Sequence, residues 1–202
     1  MTEYPPEPWN LVADARLSVW RVPTADLPEL PGGVKPIVLG GHASVFTAWI
    51  EYLPPGLLSY HELLSAVAVR GARVSCSITD IWVDSEVSLA GGRALWGIPK
   101  DLADFVFTGS RSFTATAATA DDWIATAAFT RRAGLAVPLP AVFEVAQLLG
   151  DDVRRTPVSA RIRPRPARAD WSFNPGGPLG YLAGRRPVTS FELLSSQLRF
   201  GA

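Results

Sequence analysis

Residues 92–100 read Gly-Arg-Ala-Leu-Trp-Gly-Ile-Pro-Lys, and this stretch joins a predicted helix to a predicted strand. The helix is predicted over Asp84–Leu95, because a capping Asp or Ser stands at its amino terminus and apolar residues recur along it. The strand follows at Phe105–Thr108. Pro99 restricts the backbone immediately before Lys100, so the turn that precedes this lysine defines its position.

Lys100 is one of only two lysines in the 202-residue chain, which contains 17 arginines. An arginine stays protonated in proteins, whereas a lysine that is removed from water can become a neutral amine. A neutral amine attacks ketones to form a Schiff base, and the protonated iminium is an electron sink. We therefore expect Lys100 to be enclosed, with a lowered pKa and a partly neutral amine near neutral pH. A solvated surface lysine is the alternative.

Around this stretch, the sequence is dominated by short runs that alternate in polarity and are rich in β-branched and aromatic residues. The runs that predict strands are Arg16–Val22, Ser44–Leu53, Arg73–Val83, Ser110–Ala120 and Asp122–Arg131. The 17 glycines and 18 prolines are spread along the whole chain, as is typical of many turns. The pattern predicts a mostly β, mostly antiparallel domain over residues 1–202, with one or two short helices. A closed or cone-shaped barrel would hide the many strand edges.

Four further segments give weaker signals. Ser59–Arg70 fits a strand less cleanly, because Leu63 and Leu64 are adjacent. Pro138–Leu149 fits a helix or a strand, and we favour a strand from Ala141. The prolines of Ser159–Arg168 suggest an edge strand, and residues 174–178 read as a turn.

The composition excludes several classes of protein. Lys+Arg and Asp+Glu both number 19, and 48% of the residues are hydrophobic, which rules out a disordered chain. The zero formal charge argues against a nucleic-acid binder. The apolar stretches are too short to cross a membrane, and the first ten residues lack the features of a secretory signal. Because Cys76 is the sole cysteine, we expect a cytoplasmic protein without an internal disulfide.

The sequence contains none of the common catalytic motifs: it has no nucleophile elbow, phosphate-binding loop or dinucleotide fingerprint. His42 and His61 are better explained as structural or surface side chains than as metal ligands. Since Cys76 stands alone, thiolate metal sites are excluded as well. We therefore expect neither a metal nor a cofactor.

Three segments together resemble the acetoacetate decarboxylase family. Gly92-Arg93 followed by Pro99-Lys100 is similar to the family's lysine motif, of the form Gly-Arg-Glu-x-x-x-x-Pro-Lys. Residues 60–62, Tyr-His-Glu, resemble its Tyr-x-Glu segment, and residues 171–190 resemble its closing region. The resemblance implies a cone-shaped antiparallel barrel with the lysine inside, often in homo-oligomers.

By this resemblance, Lys100 would be the imine-forming nucleophile and Glu62 the acid/base. Strand alternation places Tyr60 and Glu62 on one face, so both are expected to face Lys100. The further candidates for contact with the substrate are Arg16, Arg21, Glu51, Tyr60 and Trp96. Either arginine could hold a substrate carboxylate. Asp101 stands where the decarboxylase has a second lysine, and it should point away from Lys100.

The resemblance predicts a lyase that acts on a keto compound or keto acid. Decarboxylation needs a cation that holds the substrate carboxylate, whereas aldol or dehydration chemistry needs an acid–base pair beside the iminium. Glu62 supplies the second requirement directly, so we expect aldolase-dehydratase chemistry rather than efficient decarboxylation of acetoacetate. The alternative is a non-catalytic barrel that binds an apolar small molecule and uses Lys100 as a charge anchor. A buried Lys100–Glu62 ion pair with a structural role is the third possibility.

Overall fold

The computed structural model describes residues 2–109, 112–134 and 136–202. Within these residues, one helix and two short 3-10 helices accompany a sheet of thirteen strands. The strands are β1 (Trp9–Pro23), β2 (Val38–Leu39), β3 (His42–Leu53), β4 (Tyr60–Val69), β5 (Ser75–Val83), β6 (Lys100–Leu102), β7 (Asp104–Thr108), β8 (Ser112–Ala118), β9 (Trp123–Arg131), β10 (Leu139–Leu149), β11 (Asp152–Ile162), β12 (Pro164–Phe173) and β13 (Thr189–Phe200). The helices are α1 (Glu86–Trp96) and the 3-10 turns Thr24–Asp26 and Gly180–Leu182. The mostly β class is as predicted.

Seven strands close into a barrel in the order β1-β3-β4-β5-β10-β11-β13, because β13 pairs back with β1. The strands β12, β9, β8 and β7 continue the sheet beyond β13. The barrel is mostly antiparallel, as predicted, and the one parallel pair among its seven strands makes it mixed. Strand β5 runs parallel to both β10 and β6. The helix α1 connects β5 to β6 and so provides the crossover for that second pair. A parallel pair needs such a crossover connection.

Two hydrophobic cores lie on opposite faces of the barrel wall. The inner core draws side chains from all seven barrel strands and from α1. The outer core lies between the wall and the sheet extension β12-β9-β8-β7. Strand β4 contacts both, since Leu63 belongs to the outer core and Leu64 packs against the inner one. This explains the adjacent leucines, because a strand that is buried on both faces loses its alternation.

The prediction of one edge strand over Ser159–Arg168 is wrong. The segment spans the end of β11 and the start of β12, and both strands are paired on two sides. The prolines Pro164 and Pro166 fall where the pairing of β13 passes from β11 to β12. Both prolines pair with β13 on one side only, because the pairing of β12 with β9 begins at Ala167. A proline is tolerated where one side of a strand is unpaired.

The helix α1 begins and ends close to the predicted bounds. The side chain of Ser85 accepts a hydrogen bond from the backbone N–H of Ser88 at 3.2 Å, and Glu86 lies in the first turn. Both features stabilise a helix amino terminus. At the other end, Gly97 adopts a left-handed conformation with φ 66°. A Cβ at this position would lie 2.0 Å from the carbonyl oxygen of Leu148, so only glycine fits the turn.

Candidate functional site

Lys100 extends into the inner core and meets three polar side chains. Its Nζ donates hydrogen bonds to Glu62 Oε2 at 2.8 Å, to Ser88 Oγ at 2.8 Å and to Tyr60 Oη at 3.4 Å. Lys100 is 4% exposed and Glu62 is 3% exposed, so the ion pair is fully enclosed. Each ammonium proton therefore has an acceptor, which removes the cost of burying an unpartnered charge.

Two tyrosines border this ion pair. Tyr52 donates its hydroxyl proton to Glu62 Oε1 at 3.2 Å, and the rings of Tyr52 and Tyr60 are stacked with centroids 4.4 Å apart. Burial raises the pKa of Tyr60 to about 12 and also raises the pKa of Tyr52 well above its ordinary value. Both phenols therefore remain protonated at neutral pH, and Glu62 accepts from Tyr52 as well as from Lys100. We call Lys100, Glu62, Tyr52, Tyr60 and Ser88 the barrel cluster.

The charge state of Lys100 differs from the expectation of a lowered pKa. Burial does lower the pKa of the ammonium, but the nearby Glu62 carboxylate and Tyr60 more than offset this, and the pKa lies above its ordinary value. The resting form is therefore an ammonium–carboxylate pair. Burial alone would lower the pKa of Lys100, but a buried ammonium requires a partner, and that partner reverses the shift.

The helix α1 presents small residues to the lysine. Ser88 and Gly92 are four residues apart and share the buried face of α1. A Cβ at Gly92 would lie 2.8 Å from both Cδ and Cε of Lys100, so the lysine stem passes directly over this glycine. Gly91 makes room for Trp9 in the same way, because a Cβ there would lie 2.5 Å from the indole ring.

The arginine of the lysine motif holds the backbone rather than the amine. Arg93 donates from Nε to the carbonyl oxygen of Lys100 at 2.7 Å. The N–H groups of Gly97 and Ile98 bond to the carbonyls of Arg93 and Gly92, which closes the turn. The residues of the motif thus position Lys100: Gly92 leaves room for its side chain, Gly97 allows the turn that ends α1, and Arg93 holds its backbone carbonyl.

Gly92→Ala should therefore be destabilising and should displace Lys100. In an exposed helix this change would stabilise by about 1 kcal/mol, but here the added methyl overlaps the lysine stem. We expect a lowered Tm and a broken Lys100–Glu62 contact, measured by calorimetry and by crystallography of the variant. Gly32→Ala is the control, because a Cβ there meets nothing within 4 Å. An equal or higher Tm for Gly92→Ala would contradict this packing.

The predicted substrate-binding residues do not all join the barrel cluster. Arg16 and Glu51 lie on the outer face of the wall, because their register places them with Trp49 and His61 rather than with Glu62. Arg16 stacks over Phe113 of the outer core, with 3.9 Å from its guanidinium carbon to the ring centroid. Arg16 is therefore separated from Lys100 by the sheet itself.

Arg21 and Trp96 also lie away from the lysine amine. Arg21 is exposed and approaches the turn at Gly40, where a Cβ would be 3.3 Å from its Nη2. Trp96 belongs to the inner core but donates from its indole N–H to Glu7 Oε2 at 2.8 Å. Tyr60 alone among the five further candidates contacts Lys100 Nζ. Asp101 is exposed, and its nearest cation is Arg93 at 3.9 Å.

Sequence reasoning missed Ser88 and Tyr52. The four-residue spacing of Ser88 and Gly92 would place both on one face of a helix, which is a signal that could have found Ser88. Tyr52 lies directly opposite Tyr60 in the ladder between β3 and β4. That contact depends on strand register, and no motif marks it.

The described residues give no indication of a metal site or a membrane-spanning helix. Within residues 2–109, 112–134 and 136–202, no group of three or more His, Cys, Asp or Glu side chains is placed to hold a metal ion. None of the helices described is long and apolar enough to cross a bilayer. Burial raises the pKa of the Cys76 thiol to about 12, so this cysteine is not a thiolate at neutral pH.

A family model described as acetoacetate decarboxylase (ADC) matches residues 28–148, which is more than half of the chain. The matched region contains the lysine motif, α1 and the strand that carries Glu62. No curated protein sequence matches the chain.

Solved structures with the same fold have low sequence identity. Acetoacetate decarboxylase from Legionella pneumophila is 15% identical with a TM-score of 0.72, and the match covers 100% of this chain and 88% of that one. An acetoacetate decarboxylase-like enzyme from Sphingomonas wittichii RW1 is 17% identical with a TM-score of 0.70, over 96% and 91% of the two chains. The enduracididine biosynthesis enzyme MppR, complexed with the condensation product of pyruvate and imidazole 4-carboxaldehyde, is 17% identical with a TM-score of 0.68, over 98% and 88%. The similarity to these proteins is one of fold.

Proposed function

Because this chain belongs to the acetoacetate decarboxylase family, we propose that it is a lyase whose Lys100 forms an imine with a small keto compound or keto acid. The observation that carries the proposal is the position of Lys100, which is enclosed in the inner core against Glu62. A primary amine, a carboxylate and two protonated phenols surrounded by apolar side chains form a set suited to carbonyl chemistry.

Proton transfer within the ion pair supplies the nucleophile. Lys100 Nζ and Glu62 Oε2 are 2.8 Å apart, which is a hydrogen-bonding distance. When the ammonium proton moves to Glu62, the products are a neutral amine and a neutral carboxylic acid, and the net charge of the barrel cluster does not change. In a low-dielectric interior this neutral pair competes with the ion pair, because both charges are costly to bury.

Imine formation then proceeds through a carbinolamine. The amine attacks the carbonyl carbon and forms the new C–N bond as the C=O π electrons move to oxygen, and the oxygen then takes the proton that the attacking nitrogen loses, which gives the carbinolamine hydroxyl. Glu62, now a carboxylic acid, protonates the departing hydroxyl, which leaves as water with the C–O bonding electrons. The product is an iminium on Lys100 beside a carboxylate on Glu62. That carboxylate would then remove a proton from the carbon next to the iminium, which gives an enamine.

The barrel cluster favours aldol or dehydration chemistry over decarboxylation. Arg16 lies on the other face of the sheet and Arg21 is exposed, so neither is beside the lysine amine to hold a β-keto carboxylate. Glu62 offers the acid/base that enamine chemistry needs. MppR, similar in fold, is complexed with a condensation product of pyruvate and an aldehyde. We therefore propose an aldolase-dehydratase type of reaction, with a non-catalytic binding barrel as the alternative.

Borohydride trapping tests the proposal. We expect incubation with pyruvate or a larger 2-oxo acid, followed by borohydride reduction, to add the reduced keto acid to Lys100 in the peptide map. Lys35 is exposed and is the other lysine of the chain, so Lys35→Arg is the matched control and should trap normally. Absence of an adduct on Lys100 with a panel of 2-oxo and 3-oxo acids would remove the imine from the mechanism.

Decarboxylation is tested separately by the release of CO2 from acetoacetate. We expect slow or undetectable release, because the barrel cluster offers no arginine to the substrate carboxylate. Efficient release that depends on Lys100 would overturn the preference for aldol chemistry. We also propose that the protein is cytoplasmic and that it forms homo-oligomers. Sedimentation equilibrium of the purified chain tests the oligomeric state.

A further inference from the structure

A second concave site lies on the outer face of the barrel wall, where β1, β3 and β4 meet β7 and β8. Its volume is about 360 Å³. Its polar lining includes Arg16, Glu51 and His61, and its apolar lining includes Phe105, Phe107 and Phe113. The sheet separates this outer pocket from the barrel cluster, so the proposed imine chemistry does not use it.

Arg16 is the unusual member of the outer pocket. It is only 5% exposed, and its Nε and Nη1 have no hydrogen-bond partner among the described residues. One face of its guanidinium rests on the Phe113 ring at 3.9 Å. A buried guanidinium stays charged and can donate five hydrogen bonds, so this side chain is built to receive an acceptor group that is not part of the described chain.

The surrounding charges define which acceptor fits. Asp14, Glu51 and Glu192 exert an attraction on Arg16, and Arg131 exerts a repulsion. Glu192 is engaged by Arg131, with 2.7 Å between its Oε2 and the arginine Nε. Carboxylates outnumber guanidinium groups around the outer pocket. The local electrostatic potential therefore disfavours a ligand with only a negative charge and favours one with a negative and a positive group.

Glu51 is placed to receive the positive end of such a ligand. It lies two residues further along β3 than Trp49, the ladder partner of Arg16, so the two charged residues are diagonal neighbours on one face. Diagonal neighbours in antiparallel strands are about 7–8 Å apart, a gap that one small molecule can bridge. His61 Nε2 lies 4.0 Å from Glu51 Oε1, and Asp84 Oδ2 fixes that ring through Nδ1 at 2.6 Å.

We propose that the outer pocket binds a zwitterionic α-amino acid with an apolar or aromatic side chain. Its carboxylate would accept from Arg16, its ammonium would donate to Glu51, and its side chain would pack on the phenylalanines. His61 already makes an edge contact with Phe107, with centroids 4.7 Å apart, so an aromatic ring would extend an existing cluster. The site is independent of Lys100 and of the proposed lyase activity.

Titration with three related probes tests the proposal. L-phenylalanine carries both charges, 3-phenylpropanoate lacks the ammonium, and 2-phenylethylamine lacks the carboxylate. We expect L-phenylalanine to bind at least about tenfold more tightly than either analogue, since each loses one charge-assisted hydrogen bond. Equal binding of 3-phenylpropanoate, or no binding of L-phenylalanine up to about 10 mM, would overturn the proposal.

The two histidines report the location of binding. We expect the ring signals of His61 to shift on addition of L-phenylalanine, while those of His42, which bonds the carbonyl of Gly40 outside the pocket, stay unchanged. Binding without a shift at His61 would place the ligand elsewhere and overturn the assignment. Arg16→Gln should abolish the binding. Because Arg16 is buried and its variant can fail to fold, Glu51→Gln, at a half-buried position, provides the second test.

Glu51→Gln should weaken L-phenylalanine about tenfold and should leave 3-phenylpropanoate unweakened. The matched control is Glu29→Gln, which removes one exposed carboxylate outside the pocket lining. Retention of full L-phenylalanine affinity in Glu51→Gln would contradict the role of Glu51. Neither Arg16 nor Glu51 contacts the barrel cluster, so borohydride trapping on Lys100 is an independent measurement. A failure of trapping would contradict the proposed lyase activity and would not affect the conclusion on the outer pocket.

Discussion

Lys100→Met should destabilise the protein by about 3–5 kcal/mol. The substitution keeps an unbranched apolar stem, one atom shorter, but leaves the Glu62 carboxylate buried at 3% exposure, with the Tyr52 hydroxyl as its remaining donor. An enclosed carboxylate without a cation carries the full cost of its lost hydration. Chemical denaturation at neutral pH, compared with the unchanged chain, measures the loss.

The double variant Lys100→Met/Glu62→Gln separates structure from function. Both charges are gone, and the amide oxygen of the new glutamine can still accept from Tyr52. Replacing a buried ion pair by neutral groups is often neutral or stabilising, so we expect most of the lost stability to return while imine trapping stays absent. A double variant as unstable as Lys100→Met would mean that the ion pair itself holds the barrel together.

The same pair gives a distinctive dependence of stability on pH. The pKa of Lys100 is higher in the folded chain than its ordinary value because Glu62 favours the ammonium. The resulting stabilisation is fully present below the unfolded pKa of about 10.4 and is lost as the pH rises through the folded pKa. The double variant should lack this alkaline loss, which denaturation at a series of pH values would reveal.

The strands, the helix and the shared face of Tyr60 and Glu62 could be predicted because they follow from local patterns, whereas the placement of Lys100 inside a barrel was implied by the resemblance to the acetoacetate decarboxylase family. Alternating runs predict strands, the Ser85 cap and Gly97 bound the helix, and the spacing of Tyr60 and Glu62 puts them on one face. Each of these inferences needs at most a dozen neighbouring residues.

The position of Arg16 on the outer face could not be predicted because it depends on the register between distant strands. A one-residue difference along a strand moves a side chain to the other face of the sheet. Arg16 pairs with Trp49, whereas its neighbour Ala15 pairs with Ile50 and so shares the row of Glu62. No spacing in the sequence distinguishes these two registers. The parallel pairing of β5 with β10 is equally non-local.

Glu62→Gln should lower the pKa of Lys100 and so reverse the direction of its shift. In the unchanged chain, burial lowers this pKa, but the charge of Glu62 and its hydrogen bond raise it. The amide keeps a hydrogen-bond acceptor and removes the charge, so burial becomes the dominant effect and favours the neutral amine. The rate at which a small amine-reactive reagent alkylates Lys100 is measured by peptide mass at a series of pH values. The midpoint of this rate profile gives the pKa of Lys100 in each protein.

Glu62→Gln tests the proposed mechanism because it should change the reactivity of the Lys100 amine and the rate of imine formation in opposite directions. A lower pKa gives Glu62→Gln more neutral amine at neutral pH, so formation of the first carbon–nitrogen bond should not be limited by deprotonation. Loss of the carboxyl group, however, removes the acid that expels water and the base that forms the enamine. We therefore expect easier amine labelling together with slower imine trapping and slower turnover. If labelling and trapping both rise, Glu62 only restrains the lysine and another group moves the protons; if both fall, the negative charge is needed to keep the amine in place.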